Sequence, residues 1–409
     1  MARVGRYTNP AMTLDWAPDE LPSNASVESI ALATPDRAAT TGLLYLPGGR
    51  ARSLVALCHP RVDFTRHYLI PELVRAGFAV WAQRTRTVNN DATTVHEQLL
   101  IDIAVAHAHL ERKGFEHFYL VGNSGGASLY AFYIQQASRA PEDRLTSSPS
   151  GVAVDLTMHM PAPAGLVLLA PHPGQGELLL QCIDPSVMDE DDPGSFVPEL
   201  DMFAEDNGFR APPEPSRYDD AFLTRYRQAQ RERVLRIDER MRTILAERAE
   251  LRGYGRDGDE RARRLALAPS FITVHRTDAD PRTVDLTLDP SKRDYGSIFG
   301  RRPDITNFGA VGFARLTTPH AWLSTWSGTS SRAALRLTAP EITIPTLLVS
   351  YTADNSVFPS DVAAIERQLA SASKEVAAVD GDHYGYAPGT EERWPDGPSR
   401  IVDWLVGRT

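Results

Sequence analysis

Cysteine is scarce in this chain. Cys58 and Cys182 are the only two among 409 residues, so no disulfide framework can hold the fold, and a reduced, cytoplasmic setting is expected. Long apolar runs are missing as well. No stretch approaches the roughly 18 residues of a membrane helix, the longest being short segments such as 164–171, so a membrane is not expected as a partner. Behind Arg3 and Arg6 there is no apolar stretch, and no secretory signal is read there. Excess positive charge is also lacking: 43 Lys and Arg stand against 53 Asp and Glu, a formal charge of -10. A phosphate backbone selects the opposite sign, which argues against nucleic acid as the main partner. What is present, 42% hydrophobic and 23% charged residues, is the mix of a folded globular protein. The length suggests two or three structural units.

The first 171 residues alternate short β-branched runs with helical patterns. Strands are expected at 27–33, 41–46, 53–58, 78–82, 117–121 and 165–170, and helices at 67–76, 93–113 and 126–138. Such alternation implies an α/β fold, a mostly parallel sheet with helices on both faces. The pattern then breaks. Residues 172–215 are rich in Pro, Gly and acids without a period, whereas 216–252 contain no Gly or Pro and carry helical spacing. That helix would be roughly 55 Å long, so it is broken, lies across the surface, or meets a second copy in a homodimer. A hairpin is expected from 270–275 and 283–288. The sheet pattern resumes at 345–351, followed by helix 359–370, strand 375–379 and a closing helix near 399–406. The chain therefore divides into 1–171, an insertion at 172–339, and 340–409.

The most informative residues are Gly122-Asn123-Ser124-Gly125-Gly126. A strand enters this G-x-S-x-G turn and a helix leaves it, a reversal that strains the serine backbone and lifts the hydroxyl clear of the sheet. A serine needs a base to take its proton, and the base needs an acid to orient it. Of eleven histidines, His383 directly follows the last strand, in Asp380-Gly381-Asp382-His383-Tyr384-Gly385. Asp354 directly follows strand 345–351. All three residues then fall at the carboxyl edge of one sheet, where open α/β sheets place their sites.

In these motifs the sequence resembles the α/β-hydrolase superfamily, in its esterase and lipase-like branch, over about 1–171 and 340–409. The resemblance implies an α/β-hydrolase fold with Ser124 as nucleophile, His383 as general base and acid, and Asp354 as orienting acid, with Asp382 and Asp380 in reserve. It implies an oxyanion hole made by the Gly125 N–H and a donor from the loop Cys58-His59-Pro60-Arg61-Val62. Many relatives carry His-Gly there. Proline has no N–H, so Arg61 is the expected second donor and Val62 its reserve. The insertion falls where relatives carry a mainly helical cap over the serine. The implied function is a serine hydrolase cleaving a small-molecule carboxylic ester through an acyl-enzyme, with no metal or organic cofactor. A thioesterase, amidase or peptidase, acyltransferase or C–C bond hydrolase would use the same triad, and a ligand-binding protein could use the same fold.

Within the insertion, Trp322 and Trp326 are four apart and share one face of a helix. Core packing is the ordinary use of such a pair, and a substrate-facing wall is the sharper one. Trp81, with Arg84 and Arg86, follows another strand and is a further candidate contact. Other motifs carry no chemistry in this context. Gly253-Tyr254-Gly255-Arg256-Asp257-Gly258 spells G-x-G-x-x-G but follows a charged helix instead of a strand. His107 and His109, two apart on a helix, point to different sides. Residues 189–192 lack the ligand spacing of a calcium loop. The Arg-rich stretch 217–264 has acids mixed in and reads as a salt-bridged helix face.

Overall fold

The structure, a computed structural model, describes residues 20–387 and 396–409. Its main sheet has eight strands: β1 (Ser26–Ala33), β2 (Ala39–Leu46), β3 (Ser53–Leu57), β4 (Ala79–Arg84), β5 (His117–Asn123), β6 (Gly165–Leu169), β9 (Thr346–Tyr351) and β10 (Lys374–Val379). Their order across the sheet is β1-β2-β4-β3-β5-β6-β9-β10. Strand β2 pairs antiparallel with both β1 and β4, and every other pairing is parallel. The central strands read as unbroken apolar runs because both faces are covered. Leu54 and Ala56 of β3 enter one core, with α2 (His96–Arg112) and α3 (Gly125–Ala137). Val55 and Leu57 enter the other, with α1 (Ile70–Arg75) and the C-terminal helix Asp396–Val406. A period of two along each strand makes that division.

Between β6 and β9 the chain leaves the sheet. Helix α4 (Gln175–Cys182) leads into irregular chain, then into α5 (Asp220–Arg256) and α6 (Glu260–Ala266). Helix α5 is one continuous helix starting a turn later than expected. Asp219 caps it, accepting the Phe222 N–H at 2.6 Å. Its first two-thirds bury Phe222, Tyr226, Val234, Ile237 and Met241. It also runs through Gly253 and Gly255, so the G-x-G-x-x-G string begins inside a helix and not in a phosphate loop. The inserted residues form apolar clusters of their own, while Ala333, Leu335 and Ala339 pack into the core of the sheet.

The expected hairpin at 270–275 and 283–288 does not form. Strand β7 (Ile272–Thr273) pairs with β8 (Leu316–Thr317), far along the chain. Residues Pro281–Thr283 make a 3-10 turn instead. The buried Asp280 causes this: it accepts the Arg282 backbone N–H at 3.1 Å and also holds the Arg227 and Arg282 guanidinium groups. The 67–76 helix is likewise shorter, Ile70–Arg75. Among the described residues, no helix is long and apolar enough to cross a membrane.

The segment Trp322–Trp326 is a π-helical turn, closed by Ser327 N–H to Trp322 C=O at 2.8 Å. Asp238 of α5 holds it. The carboxylate accepts Trp322 Nε1–H at 2.7 Å and the hydroxyls of Ser327, Thr329 and Ser330 at 3.0, 2.8 and 2.7 Å. Asp238→Ala orphans these donors at once and is expected to cost roughly 3 kcal/mol. The check is a lowered urea midpoint at unchanged slope.

Candidate active site

Five parallel strands end at one edge of the sheet; four of them bring a residue to a single cleft, and the fifth brings Asp354 to His383 behind it. Ser124 follows β5, His383 follows β10, Asp354 follows β9, His172 follows β6 and His59 follows β3. Ser124 stands at φ 56° and ψ -123°, a left-handed backbone that costs a non-glycine residue about 1–3 kcal/mol. Its neighbours leave no other path. A Cβ on Gly122 would lie 2.5 Å from Ala127 Cα, and one on Gly126 would lie 2.3 Å from the Cys58 carbonyl oxygen. The turn is pinned by the Ser124 N–H to Leu169 C=O at 2.9 Å and by the Asn123 side chain to the same carbonyl at 3.0 Å.

His383 Nε2 lies 3.1 Å from Ser124 Oγ, and its Nδ1 lies 2.8 Å from Asp354 Oδ2. The other Asp354 oxygen accepts the N–H groups of Ser356 and Val357 at 2.7 and 2.9 Å. His383 and Asp354 are 3% and 1% exposed. Burial disfavours the charged imidazole, but the Asp354 charge, its hydrogen bond and the nearby Asp382 outweigh this, so the His383 pKa rises above its ordinary 6.5. The reserve acids are engaged elsewhere. Asp382 accepts the Tyr384 and Tyr386 N–H groups at 2.9 Å, and Asp380 binds Lys292 and Thr352.

A second histidine also reaches the serine. His172 Nδ1 is 3.2 Å from Ser124 Oγ, its Nε2 is 2.8 Å from Ser356 Oγ, and its ring stacks on His383 at 5.1 Å and 11°. The proton positions follow from counting donors. A carboxylate only accepts, so His383 Nδ1 carries its proton, and Nε2 must take the Ser124 O–H. The serine has no other proton, so His172 Nδ1–H donates to Oγ and Nε2 accepts from Ser356. Burial, then the His383 and Arg61 charges, push the His172 pKa well below 6.5 and keep it neutral.

The loop after β3 turns its amides away from the cleft. The N–H groups of Arg61 and Val62 both point to His59 Nδ1, at 3.1 and 2.9 Å. The expected donor Arg61 and its reserve Val62 are therefore already engaged through their backbone. The Arg61 guanidinium lines the cleft, held by Asp91 at 3.1 Å and lying over the Phe313 and Trp326 rings. Gly125, first residue of α3, keeps an N–H outside the intrahelical ladder.

The cleft has an empty volume of about 420 Å³, part of it open to solvent. Val62, Phe64, Ile298, Phe313 and Tyr384 form its apolar wall, and Ile298 and Phe313 come from the insertion. None of the three expected tryptophans lines it. Trp81, Trp322 and Trp326 are fully buried, with indole N–H groups donating to Gln83, Asp238 and the Asp91 carbonyl respectively. Trp326 acts on the cleft only through Arg61 and Phe313, which it touches. Arg84 and Arg86 are paired with Asp63, and with Asp36 and Asp102, away from the serine. Among the described residues, no group of three or more His, Cys, Asp or Glu could hold a metal ion. His172 and Gln175 are not among the residues expected from the sequence, and His59 is expected there only as part of the oxyanion loop, although His59 and His172 each follow a strand end, as Asp354 does.

No family model matches the chain, and no curated protein matches it. Among solved structures, it is similar to the α/β hydrolase GrgF from Penicillium sp. sh18, with TM-score 0.49 and 11% identity over 94% of this chain and 97% of that one. It is also similar to the Pyrococcus furiosus esterase Pf2001, with TM-score 0.46 and 11% identity over 96% and 94%. A third is the Paleococcus ferrophilus monoacylglycerol lipase, with TM-score 0.39 and 15% identity over 94% and 100%. The chain's own strand order, with a strained serine between β5 and α3, makes this the α/β-hydrolase fold.

Proposed function

We propose that the protein is a serine hydrolase that cleaves a small carboxylic ester through a covalent acyl-enzyme. One observation carries this reading: the continuous path from Ser124 Oγ to His383 to Asp354, at 3.1 and 2.8 Å, opening on a cleft. Ser124 Oγ attacks the ester carbonyl carbon as its proton passes to His383 Nε2, and the carbonyl electron pair moves onto oxygen. Collapse of that intermediate expels the alkoxide, which takes the proton back from His383. Water then attacks the acyl-enzyme by the same route and frees the acid. Asp354 holds the imidazole in the tautomer that can accept at Nε2 and stabilises its charged form. His172 donates to Oγ throughout, which fixes the hydroxyl so that its own proton points at His383.

The ester preference rests on the shape and lining of the cleft. Aliphatic and aromatic side chains, Ile298 and Phe313 of the inserted segment among them, form its apolar wall, which suits a short acyl and alkoxy group. A panel of p-nitrophenyl esters of increasing acyl length tests this. Short chains should turn over with the highest kcat/KM, and no hydrolysis of any member would contradict the reading.

His383 must be neutral to accept the serine proton, and its pKa is raised above 6.5. Activity is therefore present above that pKa and lost as pH falls through it. The acid limb of kcat/KM is expected to have its midpoint above pH 6.5, and a midpoint clearly below that value would count against His383 as the base.

A further inference from the structure

The engagement of the Arg61 and Val62 amides leaves the developing oxyanion short of a donor, and two buried side chains stand where one is needed. His59 is 3% exposed and lines the same cleft as Ser124. Its Nδ1 accepts two backbone N–H groups, so that nitrogen carries a lone pair and no proton. Burial, and then the charge of Arg61, hold the ring's pKa well below 6.5 and keep it neutral. The single ring proton is therefore on Nε2, and Nε2 makes no hydrogen bond to any described residue. Two amides donating into Nδ1 also polarise the ring and strengthen Nε2–H as a donor. A neutral imidazole is a competent electrophile for a carbonyl oxygen.

Gln175, the first residue of α4, is 1% exposed and lines the cleft, and neither its Nε2 nor its Oε1 has a partner. A buried primary amide with nothing to bond is costly, unless a partner arrives with the substrate. Gly125 locates both groups. A Cβ built there would lie 1.8 Å from Gln175 Nε2 and 2.9 Å from His59 Nε2. Both nitrogens thus hang over Gly125, beside the one backbone N–H that the serine turn provides. This close approach, and not backbone conformation, is what requires glycine at position 125.

We propose that the oxyanion hole is built from one backbone donor, the Gly125 N–H, and two side-chain donors, His59 Nε2–H and Gln175 Nε2–H. The proposal rests on Ser124 attacking a carbonyl carbon. As the Oγ–C bond forms, the electron pair leaving the C=O bond settles on the oxygen that these three groups face. The Arg61 and Val62 amides act one step back, by fixing the His59 tautomer.

The test uses Gln175→Leu, Gln175→Glu and His59→Phe, measuring kcat and KM on a short-chain p-nitrophenyl ester. It adds the affinity of a short aliphatic trifluoromethyl ketone, whose adduct with serine carries the oxyanion. Loss of one donor should lower kcat by about 10²–10³-fold. It should weaken the ketone by a similar factor and leave KM nearly unchanged, and Gln175→Leu should not lower the melting temperature, since it removes an unpartnered buried amide. Gln175→Glu should be at least as poor as Gln175→Leu at pH values where its carboxyl is ionised, because a carboxylate offers no N–H and repels the oxyanion. An unaltered kcat or an unaltered ketone affinity in Gln175→Leu would overturn the proposal. Should His59→Phe fail to fold, the two Gln175 variants still decide. A wild-type protein that neither hydrolyses esters nor forms a ketone adduct on Ser124 would remove the hydrolase reading and this proposal with it. Normal wild-type turnover with unimpaired Gln175 variants would remove this proposal alone.

Discussion

Ser124→Ala is expected to lower kcat by about 10⁶-fold on any ester the protein hydrolyses, with KM and the melting temperature little changed. The loss is large because the hydroxyl alone connects substrate to the relay. His383 and His172 both converge on Oγ, and without it neither has anything to activate or orient. The residual rate would come from the oxyanion donors and the cleft. The fold is expected to survive, since the strained backbone at position 124 is held by the Leu169 carbonyl and by close contacts at Gly122 and Gly126, none of which uses the hydroxyl. Steady-state kinetics with a thermal melt checks this, and a loss of less than tenfold would place the nucleophile elsewhere.

Asp354→Asn is expected to cost about 10⁴-fold in kcat through the tautomer of its neighbour. Asp354 Oδ1 already accepts the Ser356 and Val357 amides. In the variant the carbonyl oxygen of asparagine takes that place, so its NH₂ faces His383. Nδ1 must then accept, the ring proton moves to Nε2, and Nε2 can no longer receive the serine proton. Removing the carboxylate leaves only the charge of Asp382 to oppose burial, so the acid limb of the remaining activity should move to lower pH. Asp382→Asn serves as the comparison. Asp382 braces the Tyr384 and Tyr386 amides, whereas His383 Nδ1 is held by Asp354, so kcat of this variant should stay within about tenfold of wild type. Comparable losses in the two variants would remove the acid role from Asp354.

The fold was readable because the parallel strands are short apolar runs, SLVAL, HFYLVGN and TLLVSY among them, separated by amphipathic helices and glycine stops. The serine turn was readable for the same reason: a G-x-S-x-G between a strand and a helix has few other uses. Asp354 and His383 were found because each directly follows a strand. The insertion was less legible. Asp280 and Pro281 look like an open turn in sequence, but the buried Asp280, held by Arg227 and Arg282, folds them into a 3-10 turn, so the expected hairpin is absent. Trp322 and Trp326 were candidates for a substrate wall by their spacing alone, and only tertiary partners such as Asp238 decide that they are core.

The oxyanion loop shows the limit most clearly. Pro60 has no N–H, which points to Arg61 as the donor, but nothing in the order of residues shows that a histidine ring intercepts that amide and the next. His172 and Gln175 were passed over for a related reason. They open the segment where the sheet pattern ends, and side chains at such a boundary have no periodicity to assign them. His172 directly follows β6 as Asp354 follows β9, and that place at a strand end is its one signal in the sequence.

The claim on which all of this depends is that Ser124 is an activated nucleophile. The most direct test is to react the protein with a fluorophosphonate and map the adduct by mass spectrometry, at pH values on both sides of the His383 pKa. The account predicts one adduct per chain, on Ser124, forming fast above that pKa, slowing as pH falls through it, and absent in Ser124→Ala. A folded protein that takes up no probe, or carries it on another residue, would contradict the account.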